Sequence, residues 1–276
     1  MHAFDLNQPE FFKTQVRASF DKTPSTYGTN GDFHWHFAAR LVERAPIHAR
    51  QTILDIGTGT GPAAIMVSQR FGNTGQIIGL DLSRGILSIA QRQLTAAHLT
   101  NVQLLCGDAE NLPFGQAQFD GLLCSSAIVW MPNILRAMEE WHRVLRLGGW
   151  LAFSCFGGPA RQTTGQLMSQ LLKRYGIILP ELNGRLNTPE KNQDLLEEAG
   201  FAQVQITKTS AHRLFGSPEE SYRQSEAGRA RFGVTLTTQQ ERHLKAGYMA
   251  ELERIASGDD QWNYDYEQFV VAYKPF

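Results

Sequence analysis

Asp55 stands two residues ahead of three glycines at alternate positions in Ile53-Leu54-Asp55-Ile56-Gly57-Thr58-Gly59-Thr60-Gly61, and Pro62 follows at once. An apolar run closed by such glycines and followed by a helix-like segment predicts a buried strand turning sharply into a helix. Glycine permits backbone angles that a side chain forbids, and it lets a ligand approach the main chain without meeting a Cβ. Proline suits the first turn of the helix, where its missing N–H costs nothing. A second acid, Asp81, ends the next apolar run, Gln76-Ile77-Ile78-Gly79-Leu80-Asp81. It lies about 20 residues beyond the loop, where an acid can accept both hydroxyls of a ribose.

The glycine spacing argues against a dinucleotide. A pyrophosphate on a helix N-terminus uses GxGxxG, whereas here the third glycine comes one residue early and Pro62 takes its expected place. Asp55 would repel a phosphate, but it can receive an ammonium group directly or through water. A ligand with a ribose, a cationic amino-acid end and no phosphate fits.

These residues need a sheet to hold them, and the pattern from Gln51 onward supplies one. Apolar runs predict strands near 52–57, 76–82, 102–107, 119–125 and 150–156, with helices near 62–71, 83–97 and 133–146 between them. Their continuous apolar character implies burial on both faces of a parallel sheet. A sixth strand near 202–209 follows a helix with Thr188 as N-cap, Pro189 at its first position and Gly200 at its end. Tyr266 to Tyr273 supplies a seventh. The expected fold class is α/β, a Rossmann-like doubly wound seven-stranded sheet with a helical cap. Ligands of such sheets sit beyond the carboxyl ends of the strands, where strand order reverses.

Five ordered motifs carry a resemblance. Leu54-Asp55-Ile56-Gly57-Thr58-Gly59-Thr60-Gly61, then Asp81-Leu82-Ser83, then Gly107-Asp108-Ala109-Glu110-Asn111-Leu112-Pro113-Phe114, then Phe119-Asp120, and finally Arg143-Val144-Leu145-Arg146-Leu147-Gly148-Gly149 resemble a class I S-adenosylmethionine-dependent methyltransferase. In order and spacing they are most similar to the group that methylates small molecules such as quinones, sterols and secondary metabolites. The match runs from about residue 51 to residue 154.

The resemblance implies S-adenosyl-L-methionine as cofactor, S-adenosyl-L-homocysteine as product, and a last strand antiparallel to the rest. Carried onto matching positions, Gly57 and Gly59 let the backbone approach the methionine portion, and Asp55 faces its ammonium. Asp81 holds the ribose hydroxyls and Leu82 covers one adenine face. Asp108 accepts from the adenine amino group, the Ala109 N–H donates to a ring nitrogen, and the Ser125 carbonyl meets the cofactor amino group. Tyr27 sits in a segment that folds over the bound cofactor in relatives. Alignment of acceptor, methyl and sulfur can supply much of the acceleration, and the sequence singles out no general base. His142 falls mid-helix behind the sheet.

Acceptor choice is expected outside the shared core. Residues 1–50 form an N-terminal helical segment covering the cofactor site, 51–212 with 265–276 the cofactor-binding domain, and 213–264 a helical cap for substrate. Capping boxes Ser217 to Glu220 and Thr238 to Glu241 start the cap helices. Its aromatics, Phe215, Tyr222, Phe232, Tyr248, Trp262 and Tyr264, are candidates for an apolar pocket, as is Trp130 after the fourth strand. Arg223, Arg229 and Arg231 resemble a carboxylate receptor, as in the methyltransferase that caps malonyl carrier protein. The main reading is methylation of a small, apolar or aromatic acceptor at oxygen, carbon or nitrogen. The alternatives are carboxyl methylation of a malonyl-carrier-protein-like acid, a catalytically silent cofactor-binding protein and a dinucleotide oxidoreductase.

The remaining features exclude classes. The 276 residues are 42% hydrophobic and 19% charged, enough to bury a core. A net charge of −1 gives no general field for nucleic acid or an anionic membrane. No apolar run approaches the roughly 18 residues of a membrane span, and Met1 to Glu10 lack a signal pattern, so a cytoplasmic protein without nucleic-acid or membrane partners is expected. Cys106, Cys124 and Cys155 form no CxxC pair and are expected as reduced, buried thiols in strands. His34 and His36 point roughly 200° apart on a helix, so no metal site is expected. Monomer and homodimer stay open.

Overall fold

β1 (Thr52–Ile56), β2 (Gln76–Asp81), β3 (Val102–Cys106), β4 (Phe119–Ser125) and β5 (Leu145–Gly157) run parallel, joined by α3 (Pro62–Phe71), α4 (Arg84–Ala96) and α5 (Ile134–Val144). With β6 (Ala202–Ser210) and β7 (Tyr266–Tyr273) they make one seven-stranded sheet in the order β3-β2-β1-β4-β5-β7-β6. β7 is antiparallel to both neighbours, as the resemblance implies. The computed structural model describes residues 8–22, 33–72, 74–157, 164–179, 182–210, 218–256 and 266–276. Tyr27, Phe215, Ser217, Trp262 and Tyr264, singled out from the sequence, lie outside the described residues.

Alternation along the strands fills both faces. Ile53 and Leu123 pack with Leu41 of α2 (Phe33–Arg44) and with Val67 and Phe71 of α3. Leu54 and Leu122, one residue along, pack with Met138 and Trp141 of α5 and with Leu196 of α7 (Pro189–Glu198). Successive strand side chains point to opposite faces, and each fully buried Leu or Ile contributes roughly 1.5–3 kcal/mol. Two covered faces and a reversal of strand order between β1 and β4 give a doubly wound α/β sheet.

Caps follow the local sequence. The Ser83 hydroxyl accepts from the Ile86 N–H at the start of α4, and the Asn133 side chain accepts from Arg136 N–H at the start of α5. Thr188 caps α7, with Pro189 in its first turn and Gly200 beyond its end at φ +90°.

Three local features differ from expectation. β5 begins at Leu145 rather than 150, because Leu145 pairs with Phe119 before a register shift brings Trp150 opposite Gly121. Gly148, at φ +71°, makes the turn inside that shift. α9 (Thr238–Ala256) is capped one residue earlier than the sequence suggests: Thr237 Oγ1 accepts from the Gln240 N–H and Gln240 Oε1 accepts from the Thr237 N–H. Glu241 is thereby free of capping and turns to other partners. Cys106 is exposed, whereas Cys124 and Cys155 are buried as expected, and burial pushes the Cys155 thiol up to about 12.

α6 (Thr164–Lys173) packs its Leu167, Met168, Leu171 and Leu172 against Tyr222 of α8 (Pro218–Arg231) and against Leu244, Tyr248 and Leu252 of α9. The three helices thus have a core of their own. Across the sheet edge, α1 (Pro9–Asp21) buries Phe12 and Val16 beside Phe20, Trp130 and Phe232. No helix among the described residues is long and apolar enough to cross a membrane.

Candidate cofactor and acceptor site

A cavity lies beyond the carboxyl ends of the strands, at the reversal of strand order. Its walls bring together Asp55, Gly57, Gly59, Asp81, Leu82, Asp108, Ala109, Ser125 and Trp130. Tyr222, Arg223 and Arg229 are not on those walls.

The glycine loop is shaped by the protein itself. Gly57 has φ +65°, and a Cβ there would stand 2.3 Å from that of Ala127 in the turn after β4. Gly57 is therefore needed where two loops touch, before any ligand is considered. Gly59, at φ +57°, turns its N–H onto Asp81 Oδ2 at 2.9 Å. Ser126, also on the cavity wall, holds φ +55° and donates its N–H to the buried Ser154 hydroxyl at 3.1 Å. A non-glycine residue in this conformation is a strained one, held by its surroundings.

The acids differ in setting. Asp81 accepts from Gly59 N–H on one oxygen and from Ser83 N–H, at 3.0 Å, on the other, which orients the carboxylate and leaves each oxygen a lone pair for a hydroxyl. Burial raises its pKa, against the N–H groups of Ser83, Gly59 and Leu82. Asp55 is 1% exposed, and its Oδ2 accepts from the Thr58 hydroxyl at 2.6 Å. Burial pushes it up to about 7, with the Thr58 hydroxyl and Ala64 N–H opposing and the Asp81 charge adding.

α1 closes the cavity over these acids. Lys13, Val16, Arg17 and Phe20 line the wall, the spacing of one helical face. Lys13 Nζ is 2.8 Å from Asp108 Oδ2 and 2.8 Å from Glu110 Oε2. Burial would lower the Lys13 ammonium, but both carboxylates outweigh it and the net shift is upward. At the other end of α1, Asp21 Oδ1 accepts from the Ser83 hydroxyl at 2.7 Å and from Gly85 N–H at 2.9 Å. Gly85 permits the approach, since a Cβ there would sit 2.7 Å from the Asp21 backbone.

Sequence reasoning missed Lys13, Glu110 and Trp141. Glu110 is 3% exposed and accepts from Asn133 N–H at 2.7 Å, which ties the Asp108 loop to α5. The Trp141 indole donates to the Ala109 carbonyl at 3.0 Å and fixes the peptide carrying the expected adenine contacts. Lys13 carried no signal, because its partners are about 95 residues away in the chain.

The opposite wall is apolar. Trp130 meets Phe20 edge-on at 5.7 Å and stacks with Phe232 at 5.9 Å, joining α1, the turn after β4 and the segment beyond α8. Arg185 supports this wall from below by donating to the carbonyls of Met131 and Pro132, at 2.9 and 2.7 Å. Within the cap, Arg229 forms a bidentate pair with Glu241, at 2.7 and 3.0 Å, and both engage the Tyr222 hydroxyl. Tyr222 and Tyr248 pack edge-on at 5.5 Å, and Arg223 is exposed on α8. His142 lies away from the cavity, edge-on to Phe201 at 5.1 Å. No group that could hold a metal ion occurs among the described residues.

The family described as a methyltransferase domain matches residues 53–149. The demethylmenaquinone methyltransferase of Staphylococcus epidermidis is 32% identical over 195 residues, covering 68% of this chain and 78% of that one. The malonyl-[acyl-carrier protein] O-methyltransferase of a Marinomonas species is 34% identical over 143 residues, 52% of each chain. The match thus spans about half the length of that relative. Among solved structures, Haemonchus contortus phosphoethanolamine N-methyltransferase 2, in complex with phosphomonomethylethanolamine and S-adenosylhomocysteine, superposes with a TM-score of 0.59 at 20% identity, over 88% of this chain and 53% of that one.

Proposed function

The chain belongs to the family of S-adenosylmethionine-dependent methyltransferases, and from that premise we propose that its cavity binds S-adenosylmethionine and presents the methyl group to a small apolar or aromatic acceptor. The observation that carries the reading is the division of one cavity into an acid-lined half and an aromatic half. Asp55, Asp81, Asp108 and Glu110 outnumber Lys13 and Arg17 on its walls, a setting that suits a cation and repels a pyrophosphate. The oriented Asp81 carboxylate fits a pair of ribose hydroxyls. Asp55, beneath the loop, fits an ammonium group that would favour its ionised form. Leu82, Ala109 and the Asp108 loop fit an adenine, and Ser125 stands at the end of β4 where a carbonyl can meet an amino group.

Bound there, the cofactor would supply a methyl carbon on a positively charged sulfur that departs neutral. The protein's part is to hold the acceptor in line and to keep water away. Val16, Phe20, Trp130 and Met131 suit an apolar or aromatic acceptor, since flat rings bind well against indole and phenyl faces. The carboxyl-methylation alternative receives less support, because Arg229 is paired with Glu241 within the cap and lies off the cavity wall.

The reading is tested by incubating the protein with S-adenosylmethionine carrying a labelled methyl group and a panel of acceptors: hydroquinones, phenols, amines and an acyl-carrier-protein malonyl thioester. Label in a hydroquinone or phenol supports it. Label confined to the malonyl thioester would replace it with the carboxyl reading, and cofactor binding without transfer to any acceptor would favour the silent one.

A further inference from the structure

We propose that Ser154, buried in β5 and off the cavity wall, is a positioning residue: its hydroxyl holds the peptide that aims the Ser125 carbonyl at the ammonium group of S-adenosylmethionine. The proposal rests on the methyl-transfer reading of the cavity. Ser154 stands opposite Ser125 across the β4–β5 pairing and opposite Phe269 across the β5–β7 pairing. It is 0% exposed. Its side chain lies two residues beyond Ala152, on the sheet face that also buries Phe269 and Leu41 of α2. A hydroxyl buried in such a setting needs a polar partner. The Ser126 N–H supplies one at 3.1 Å, and Ser126 Oγ stands 3.5 Å away.

The direction of the neighbouring carbonyl follows from that bond. In a planar trans peptide the N–H and C=O point opposite ways. The Ser126 N–H points to β5, so the carbonyl of the same peptide, that of Ser125, points to the β1 side of β4. There the β1–β4 pairing has ended, its last pair being Asp55 and Leu123. The Thr58 N–H, which a continuing β1 would offer to Ser125, is turned instead to the Leu80 carbonyl of β2 at 3.0 Å. Ser125 stands on the cavity wall, at the start of a turn pressed against the glycine loop, where a Gly57 Cβ would meet that of Ala127 at 2.3 Å. An ammonium group above Asp55 would thus find an aimed carbonyl. Ser126 has φ +55°, a conformation that a residue with a side chain keeps only when its surroundings hold it. Without the Ser154 hydroxyl that peptide is free to turn, and the Ser125 carbonyl turns with it.

The test compares two ligands on the full chain. S-adenosylhomocysteine carries the amino-acid end, whereas 5′-methylthioadenosine keeps the adenosine and the sulfur but lacks that end. Both are titrated by calorimetry into the wild type, Ser154→Ala and Ser154→Thr, with circular dichroism and urea unfolding to check each fold. Ser154→Cys, similar in size but a weak acceptor, takes the place of Ser154→Ala if that variant does not fold. Loss of the hydroxyl should weaken S-adenosylhomocysteine about tenfold, in keeping with one hydrogen bond to a charged group, and leave 5′-methylthioadenosine within about twofold. Ser154→Thr, which keeps the hydroxyl, should restore most of the loss. Equal losses for the two ligands would mark Ser154 as a packing residue only, and unchanged S-adenosylhomocysteine affinity would remove its role; either result would overturn the proposal and leave the methyltransferase reading standing. Absence of S-adenosylhomocysteine binding by the wild type would overturn both.

Discussion

Asp55 and Asp81 face one cavity from different surroundings, and the difference is measurable. Asp55, its carboxyl pushed up to about 7 by burial, is more readily protonated in the folded chain than in the unfolded one at 3.8. Its contribution to stability is therefore complete below the unfolded value and is lost as pH rises through about 7. A ligand ammonium beside it would lower that pKa again. We expect S-adenosylmethionine binding at about pH 6 to 7 to release protons and to tighten as pH rises, seen as a calorimetric heat that depends on buffer ionisation enthalpy and disappears in Asp55→Asn. Proton uptake or no buffer dependence would contradict the placement. Gly57→Ala tests the loop itself: a Cβ 2.3 Å from Ala127 and a left-handed φ should cost about 1–3 kcal/mol, read from urea unfolding, with loss of ligand binding. Spacing pointed to Asp81 and the family resemblance to Asp108, and both lie on the cavity wall. That Lys13 and Glu110 flank Asp108 was not legible, since an ion pair between distant segments leaves no local pattern.

Among the elements, α1 is fastened at both ends to the acid-lined half of the cavity, by Asp21 at the start of α4 and by Lys13 at Asp108. A ligand adenine that takes up Asp108 must share it with Lys13, so cover and ligand are coupled. Lys13→Met and Asp21→Ala should each speed amide hydrogen exchange in α1 and raise the S-adenosylhomocysteine dissociation rate by about tenfold, in keeping with roughly 1.5 kcal/mol for a charge-assisted hydrogen bond. Exchange unchanged in both variants would mean that Phe12 and Val16 alone hold the helix. The helical character of the segment was legible, but its cavity-facing stripe was not, because Lys13 and Arg17 reach the wall only through the tertiary fold. α9 shows a related limit. Two overlapping capping patterns begin at Thr237 and Thr238; the helix takes the first, and Glu241 pairs with Arg229 instead. The aromatic cap residues read equally well as pocket or core, and Tyr222 and Tyr248 went to the core.

For the molecule as a whole, the parallel strands were legible because burial on both faces leaves unbroken apolar runs, and the glycine loop because its geometry tolerates few residues. Which cap residue packs against the cavity wall was not legible, since Phe232 reaches Trp130 through the tertiary fold. Ligand occupancy should be felt globally: at about 100 times its Kd, S-adenosylhomocysteine should add roughly 2.7 kcal/mol and raise the melting temperature by several degrees, while NAD should leave it unchanged. The most direct test of the central claim is calorimetric titration of the wild-type chain and of Asp81→Ala with S-adenosylmethionine. The account predicts a single site in the wild type and binding weakened about a hundredfold in the variant, where two charge-assisted hydrogen bonds to ribose are lost. No binding to the wild type, or equal affinity in the two proteins, would contradict it.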